Sequence, residues 1–144
     1  MHAVATRVRF RPLNGGDAAK VAALARKLGG DETVDEWERF LLRPGAIAFG
    51  ANAGHALVGY AAGDVGRRFG LPGPAAWIEA FGVDLDWRAK GLGRALAAEL
   101  LRQFGDAGAV RVYTLVPLHD RSLGPFFRGL GFRDEALSCL GRAP

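Results

Sequence analysis

The chain is short of everything that builds covalent or metallic frameworks. One cysteine, Cys139, stands among 144 residues, so no internal disulfide can form and no set of thiolates can hold a metal. The three histidines, His2, His55 and His119, share no ligand spacing with one another or with Asp or Glu, and no metal is expected. No window of about 18 apolar residues exists to span a bilayer. Met1-His2-Ala3-Val4-Ala5-Thr6-Arg7 carries no apolar stretch behind a basic start, so the expectation is a chain free of membranes and signal peptides, working in a reducing cytoplasm. Blocks of five or six like charges are also missing. Lysine is scarce at 3 of the 19 basic residues, and the arginines scatter from Arg7 to Arg142. The net charge of +4 therefore points to separate anion sites rather than to a nucleic-acid groove.

What is present is an ordinary globular composition. With 49% hydrophobic and 24% charged residues, disorder, collagen-like repeats and coiled coil are all excluded. The 25 alanines and 21 glycines bring little side-chain area, so the core must rest on Leu, Val, Phe and Trp. The length suits one domain, expected to occupy residues 1–144.

Local patterns order the elements. Residues 8–13 alternate as a strand, and Asn14-Gly15-Gly16 turns it. Asp17 reads as the N-cap of a helix over 18–28, with Val21, Leu24, Ala25 and Leu28 on its apolar face and Gly29-Gly30 as its stop. Thr33 and Glu36 form a capping box for a second helix bearing Trp37, Phe40 and Leu41, ended by Pro44-Gly45. Residues 46–52 and 56–64 read as a hairpin around Ala53-Gly54-His55, 66–74 as a mobile loop, and 76–85 as a longer strand. Leu92, Leu96, Leu100 and Phe104 mark a third helix; 110–116 is a further strand. Pro125 fits a last helix only if that helix begins late, capped at Ser122, because the third helical residue needs no N–H partner. A closing strand is expected over 136–140. The order predicts a mixed sheet with helices on both faces.

The most informative stretch is Val83-Asp84-Leu85-Asp86-Trp87-Arg88-Ala89-Lys90-Gly91-Leu92-Gly93-Arg94, a strand running into a glycine-rich turn that opens a helix. Free N–H groups and the helix dipole favour an anion there, and Arg88, Lys90 and Arg94 add positive charge. A plain helix-start turn is the competing reading. Leu96 stands at the third glycine position of a dinucleotide fingerprint, and no Gly-Lys-Ser/Thr occurs, so neither nucleotide motif applies.

This stretch resembles the GNAT superfamily of acetyl-CoA-dependent N-acetyltransferases. Arg88-Ala89-Lys90-Gly91-Leu92-Gly93 is similar to its Arg/Gln-x-x-Gly-x-Gly/Ala signature, and the strand Trp77-Ile78-Glu79-Ala80-Phe81-Gly82-Val83-Asp84 precedes it. Leu123, Phe126, Phe127, Leu130, Gly131 and Phe132 match the family's late helix ending in Gly-Phe. The resemblance implies an α+β fold with a mixed, mostly antiparallel sheet of six to seven strands, flanked by helices on both faces. It implies acetyl-CoA as cosubstrate and a primary amine as acceptor, joined by direct attack, with a homodimer left open.

Residue roles carry over by position. Backbone N–H groups of Ala89, Lys90, Gly91, Leu92, Gly93 and Arg94 would hold the pyrophosphate, with Arg88 beside them. The backbone of Phe81, Gly82 and Val83 would pair with the pantetheine arm and offer a donor to the thioester oxygen, where charge develops. Glu79 would be the base that removes a proton from an amine of pKa near ~10; a salt-bridged structural carboxylate is the alternative. Two positions depart from the family. Phe127 stands where many members place a tyrosine acid; Tyr113, His119 and Ser122 are the substitutes within the chain. Asp120 replaces the asparagine that opens the late helix and is the cofactor-binding position expected to contact the pantetheine arm; an ionised aspartate accepts but does not donate there. Asp31, Glu32, Asp35, Glu36 and Glu38 could draw a cationic acceptor or merely complement a helix dipole. The rival from another class is a non-catalytic acyl-CoA-binding module, and a weaker one is nucleic-acid binding.

Overall fold

A proline and an asparagine end the first strand, β1 (Val8–Pro12). The computed structural model describes residues 7–144; the readings made for His2 and for the first six residues lie outside it. Asn14 Oδ1 accepts from the Gly16 N–H at 2.9 Å, making a single 3-10 turn that leads into helix α1 (Ala18–Lys27). Asp17 sits at the N-cap but does not cap α1 with its side chain. Its carboxylate takes the Arg11 guanidinium at 2.7 and 3.0 Å and the Asn14 N–H at 2.9 Å, which hold it below the usual aspartate range, with the Arg11 hydrogen bonds the main cause. Helix α2 (Val34–Leu41) begins where Thr33 Oγ1 accepts the Glu36 N–H at 3.1 Å; the expected box is half formed, since Glu36 Oε1 takes the Thr33 hydroxyl at 3.3 Å and not its backbone N–H.

The remaining elements are β2 (Ala46–Ala53), β3 (Ala56–Arg67), β4 (Pro74–Val83), α3 (Leu92–Asp106), β5 (Arg111–Thr114) and α4 (Leu123–Gly129). They form one sheet in the order β1-β2-β3-β4-β5, antiparallel except for the parallel pair β4–β5. Helices α3 and α4 cover one face; α1 and α2 cover the other. Leu96, Leu100 and Phe104 of α3 are fully buried, each contributing about 1.5–3 kcal/mol by removing apolar surface from water. No helix among the described residues is long and apolar enough to cross a membrane.

The strand expected over 76–85 runs from Pro74 to Val83 and that over 110–116 from Arg111 to Thr114. The loop expected over 66–74 shrinks to 68–73, because Asp64, Val65, Gly66 and Arg67 pair with Trp77, Ala76, Ala75 and Pro74 and extend the β3–β4 ladder. The closing strand over 136–140 does not form, so among the described residues the sheet has five strands rather than six or seven. A period of two puts Leu137 and Leu140 on opposite faces, so neither face carries more than one large apolar side chain to bury. Both are exposed, and the tail is tied at its start by the ion pairs Arg111–Glu135 and Arg128–Asp134.

Candidate active site

Strand β4 changes partner along its length, and the site lies where it does so. Parallel pairing with β5 covers Ala75 to Ile78 and stops at the pair Ile78 and Thr114, where Thr114 Oγ1 donates to the Ile78 carbonyl at 3.2 Å. Beyond it β4 runs on to Val83 against β3 alone. The edge of residues 79–83 facing away from β3 therefore has no strand beside it, and unpaired backbone groups there can receive an extended ligand as another strand would.

A bulge sits at that point. Gly63 pairs with Ile78 and Ala62 with Ala80, leaving Glu79 as the extra residue. Ile78 and Phe81, three apart, both pack toward α3 and α4, whereas Ala80 packs toward α1 and α2; an inserted residue is what permits this spacing. The partner position must be glycine: a Cβ on Gly63 would overlap the Trp77 carbonyl oxygen and stand 2.7 Å from Phe104 Cζ. The bulge re-aims Glu79, which keeps about a third of its side chain exposed and accepts from Arg43 Nη2 at 2.8 Å through Oε2. Its Oε1 has no partner among the described residues. The salt bridge considered from the sequence is thus present.

After Val83 the chain turns sharply. Asp84 is gripped by Lys27 at 2.9 Å, and this hydrogen bond is the main cause that lowers its pKa. A 3-10 turn (Leu85–Trp87) follows, then Ala89 at φ +61° and Gly91 at φ +80°. Positive-φ residues two positions apart make a sharply bent turn, and turns of this kind can gather backbone N–H groups around an anion. For alanine that conformation is strained, and such strain concentrates at functional turns. Helix α3 then starts at Leu92 with no side-chain cap and no acidic residue in its first turn. Its first N–H groups are left for a ligand. Arg88, Lys90 and Arg94 are exposed around this turn, with Arg88 Nε also donating to the Val83 carbonyl at 3.1 Å and Lys90 lying 5.0 Å from the Trp87 ring centre. A free strand edge leading into an uncapped, cation-ringed helix start is an arrangement suited in shape and charge to a long ligand with an anionic middle.

The comparisons agree with this geometry. The family model for the acetyltransferase (GNAT) family matches residues 20–132. The chain belongs to the GNAT acetyltransferase family. No curated relative matches it by sequence. Among solved structures it is similar to the aminoglycoside N-acetyltransferase AAC(6')-Iy in complex with CoA, at 17% identity and TM-score 0.84, over 99% of each chain. It is also similar to a ribosomal-protein-alanine N-acetyltransferase from Brucella melitensis biovar Abortus 2308, at 19% identity and TM-score 0.80, over 96% of this chain and 100% of that one. A third is an aminoglycoside acetyltransferase from an uncultured soil metagenomic sample in complex with sisomicin, at 18% identity and TM-score 0.76, over 95% and 97% of the two chains. At these identities the likeness is one of fold.

In this GNAT acetyltransferase the residues singled out in the sequence fall into three groups. Phe81, Gly82 and Val83 line the free edge with their backbone, while the Phe81 and Val83 side chains pack into the α3/α4 core and Gly82 is buried opposite Tyr60. Leu92 is likewise a core side chain, so only its N–H faces the turn question. Asp120 is occupied: its Oδ1 accepts from the backbone N–H groups of Leu123 and Ser122, each at 2.9 Å, and from the Ser122 hydroxyl at 3.1 Å. Those backbone bonds hold its carboxyl below the usual range. Ser122 stands at the N-cap, as Pro125 demands, but Asp120 supplies the capping oxygen.

The acid candidates fare differently. Phe127 is 3% exposed within rings of Phe81, Phe126 and Phe132 at centroid distances of 5.2–5.7 Å, so most of its ring is core, and only a small part lines the groove beside β5 and α4. Tyr113 is buried and stacked on Trp77 at 5.0 Å. His119 and Ser122 are exposed, and Cys139, read as a small apolar packing residue, is exposed too. Asp35 and Glu36 occupy the first turn of α2, where they complement its dipole. Sequence reasoning missed Arg43 and Asp64, whose guanidinium and carboxylate flank Glu79. It also missed Tyr60, whose phenol is pushed up to about 12 by burial and by the nearby Glu32. No local signal marks Arg43 as a partner of a residue 36 positions away.

Proposed function

We propose that the protein is an N-acetyltransferase of one domain that moves the acetyl group of acetyl-CoA to a primary amine. The observation that carries this reading is the unpaired edge of residues 79–83 running straight into the uncapped start of α3. In it, the backbone of Phe81, Gly82 and Val83 pairs with the pantetheine arm, and one N–H of that edge donates to the thioester oxygen as it becomes an oxyanion. N–H groups from Ala89 to Arg94 hold the pyrophosphate, with Arg88, Lys90 and Arg94 offsetting its charge. Glu79 takes the proton of the incoming ammonium on its free oxygen, and the neutral amine attacks the carbonyl carbon. The C–S bond then breaks, the nitrogen loses its second proton to water, and the thiol, with a pKa near ~8.5, leaves as thiolate without an acid from α4. Asp120 serves by fixing where α4 begins. The crystallised relatives that hold CoA or a CoA analogue support the choice of cosubstrate. A cytoplasmic location and the option of a homodimer belong to the same reading; the lone, exposed Cys139 accords with a reducing compartment.

The test is a pair of measurements on the intact protein. Acetyl-CoA should raise the Tm by mass action on the native state, and a panel of amines should release free thiol from it. The burial of Phe127 and the absence of a tyrosine there favour a second reading, an acyl-CoA-binding module without turnover. A Tm shift without thiol release from any amine would select it.

A further inference from the structure

Glu79 shares its face of the sheet with three other charged side chains. Arg43 Nη2 lies 2.8 Å from Glu79 Oε2 and 3.5 Å from Asp64 Oδ2, and Arg68 Nη2 approaches Asp64 Oδ1 at 3.8 Å. Each guanidinium also lies over a ring, Arg43 at 4.5 Å from the Phe40 centre and Arg68 at 4.9 Å from that of Trp77. Two carboxylates and two guanidiniums thus cancel in formal charge around the base. All four side chains keep between 22% and 50% of their surface exposed, so a ligand can reach them.

An acceptor arrives as an ammonium ion. At Glu79 it takes the free Oε1 of a carboxylate whose Oε2 Arg43 holds, so the guanidinium shares that carboxylate with it and has Asp64 within reach of the same nitrogen. Arg43 therefore stays in the site. The patch then carries three cationic groups against two carboxylates. A polycation would add more positive charge to it, whereas an anionic group beside the amine restores balance. That group would meet two guanidiniums backed by aromatic faces, whose forked donors suit carboxylate or phosphate oxygens.

We propose that the acceptor is a zwitterionic amine: the amino group goes to Glu79, and a carboxylate or phosphate a few bonds away goes to Arg43 and Arg68. Asp64 is a positioning residue that keeps Arg43 in place while Glu79 is shared with the ammonium. The proposal rests on the reading of Glu79 as the base.

Thiol release from acetyl-CoA tests it, with α-amino acids and glucosamine 6-phosphate as zwitterions, sisomicin and spermidine as polycations, and benzylamine as a plain monoamine. The zwitterions should exceed the polycations in kcat/KM by about tenfold, since each further positive charge adds to a patch that the first ammonium has already taken from neutral to positive. Arg43→Ala should raise KM for the best zwitterion by about fivefold, more than any change in kcat, with Arg43→Lys recovering part of it. The same substitution should lower KM for benzylamine by about twofold, because the guanidinium no longer competes for Glu79. Opposite signs from one substitution are not what a merely structural arginine gives. A preference for polycations or for benzylamine, or a KM that moves the same way for both acceptors, overturns the proposal and leaves acetyl transfer standing. No turnover of any amine, with the acetyl-CoA Tm shift intact, removes the acetyltransferase reading and this one together.

Discussion

Replacing Gly91 by aspartate tests the anion cradle at its hinge. Gly91 has φ +80° and open space where a side chain would go, with no heavy atom within 4 Å of a Cβ. The new carboxylate therefore enters without a clash, at a backbone cost of about 1 kcal/mol for a left-handed residue. Its charge stands beside the free N–H groups of Leu92, Gly93 and Arg94. At a separation of about 5 Å, each phosphate charge is repelled by about 1 kcal/mol in water-like surroundings and by about 3 kcal/mol at an effective dielectric near 20. A pyrophosphate brings two charges, so at least about 2 kcal/mol of binding is lost, or roughly 30-fold in Kd. Titration calorimetry with CoA at fixed ionic strength reads this directly, and the loss should shrink as salt screens the exposed charges. Gly91→Ala separates the two effects, since it carries the same backbone strain without the charge and should keep most of the affinity. A folded Gly91→Asp variant that binds CoA as tightly as the parent would refute the assignment of the pyrophosphate to this turn.

Three further outcomes are expected. Glu79→Gln should leave CoA affinity intact and lower turnover by about 10²- to 10⁴-fold at neutral pH, with the defect shrinking toward pH ~10, where the amine is already neutral; an unchanged rate at pH 7 removes Glu79 from the chemistry. Phe127→Tyr should cost about 1–3 kcal/mol in denaturant unfolding, because its hydroxyl enters a ring cluster that offers no partner. A variant as stable as the parent and faster in turnover would mean that the ring reaches the reacting sulfur. Asp17→Asn should destabilise by about 1–2 kcal/mol at pH 7, by loosening the Arg11 and Asn14 contacts. Asp17 has its pKa lowered in the folded state, so its contribution is present above the unfolded value near ~3.9 and is lost as pH falls through the folded one. Parent and variant should therefore converge in strong acid, and a gap that persists there would locate the effect elsewhere.

Residues read locally gave most of the elements. The stop at Gly29-Gly30, the Thr33 cap, the α3 stripe of Leu92, Leu96, Leu100 and Phe104, and the late start of α4 set by Pro125 all depend on contacts within a turn or two of the chain. So does the glycine-rich helix start, since an uncapped N-terminus with nearby arginines is a property of neighbouring residues. Tertiary structure decided the rest. Glu79 faces the open side because a bulge opposite Gly63 shifts the alternation of β4, and that insertion appears only when two strands are laid in register. The same register extends β3 to Arg67, past the predicted end. Burial placed Phe127 among rings contributed by β4 and by the segment beyond α4, and it left Leu137 and Leu140 without a face to cover. Arg43 reaches Glu79 because α2 and the turn after it pack over β3, where the Val65 N–H bonds the Gly45 carbonyl at 3.0 Å. A sequence carries the charges of these groups; only the packing of α2 against the sheet sets the distances through which they act.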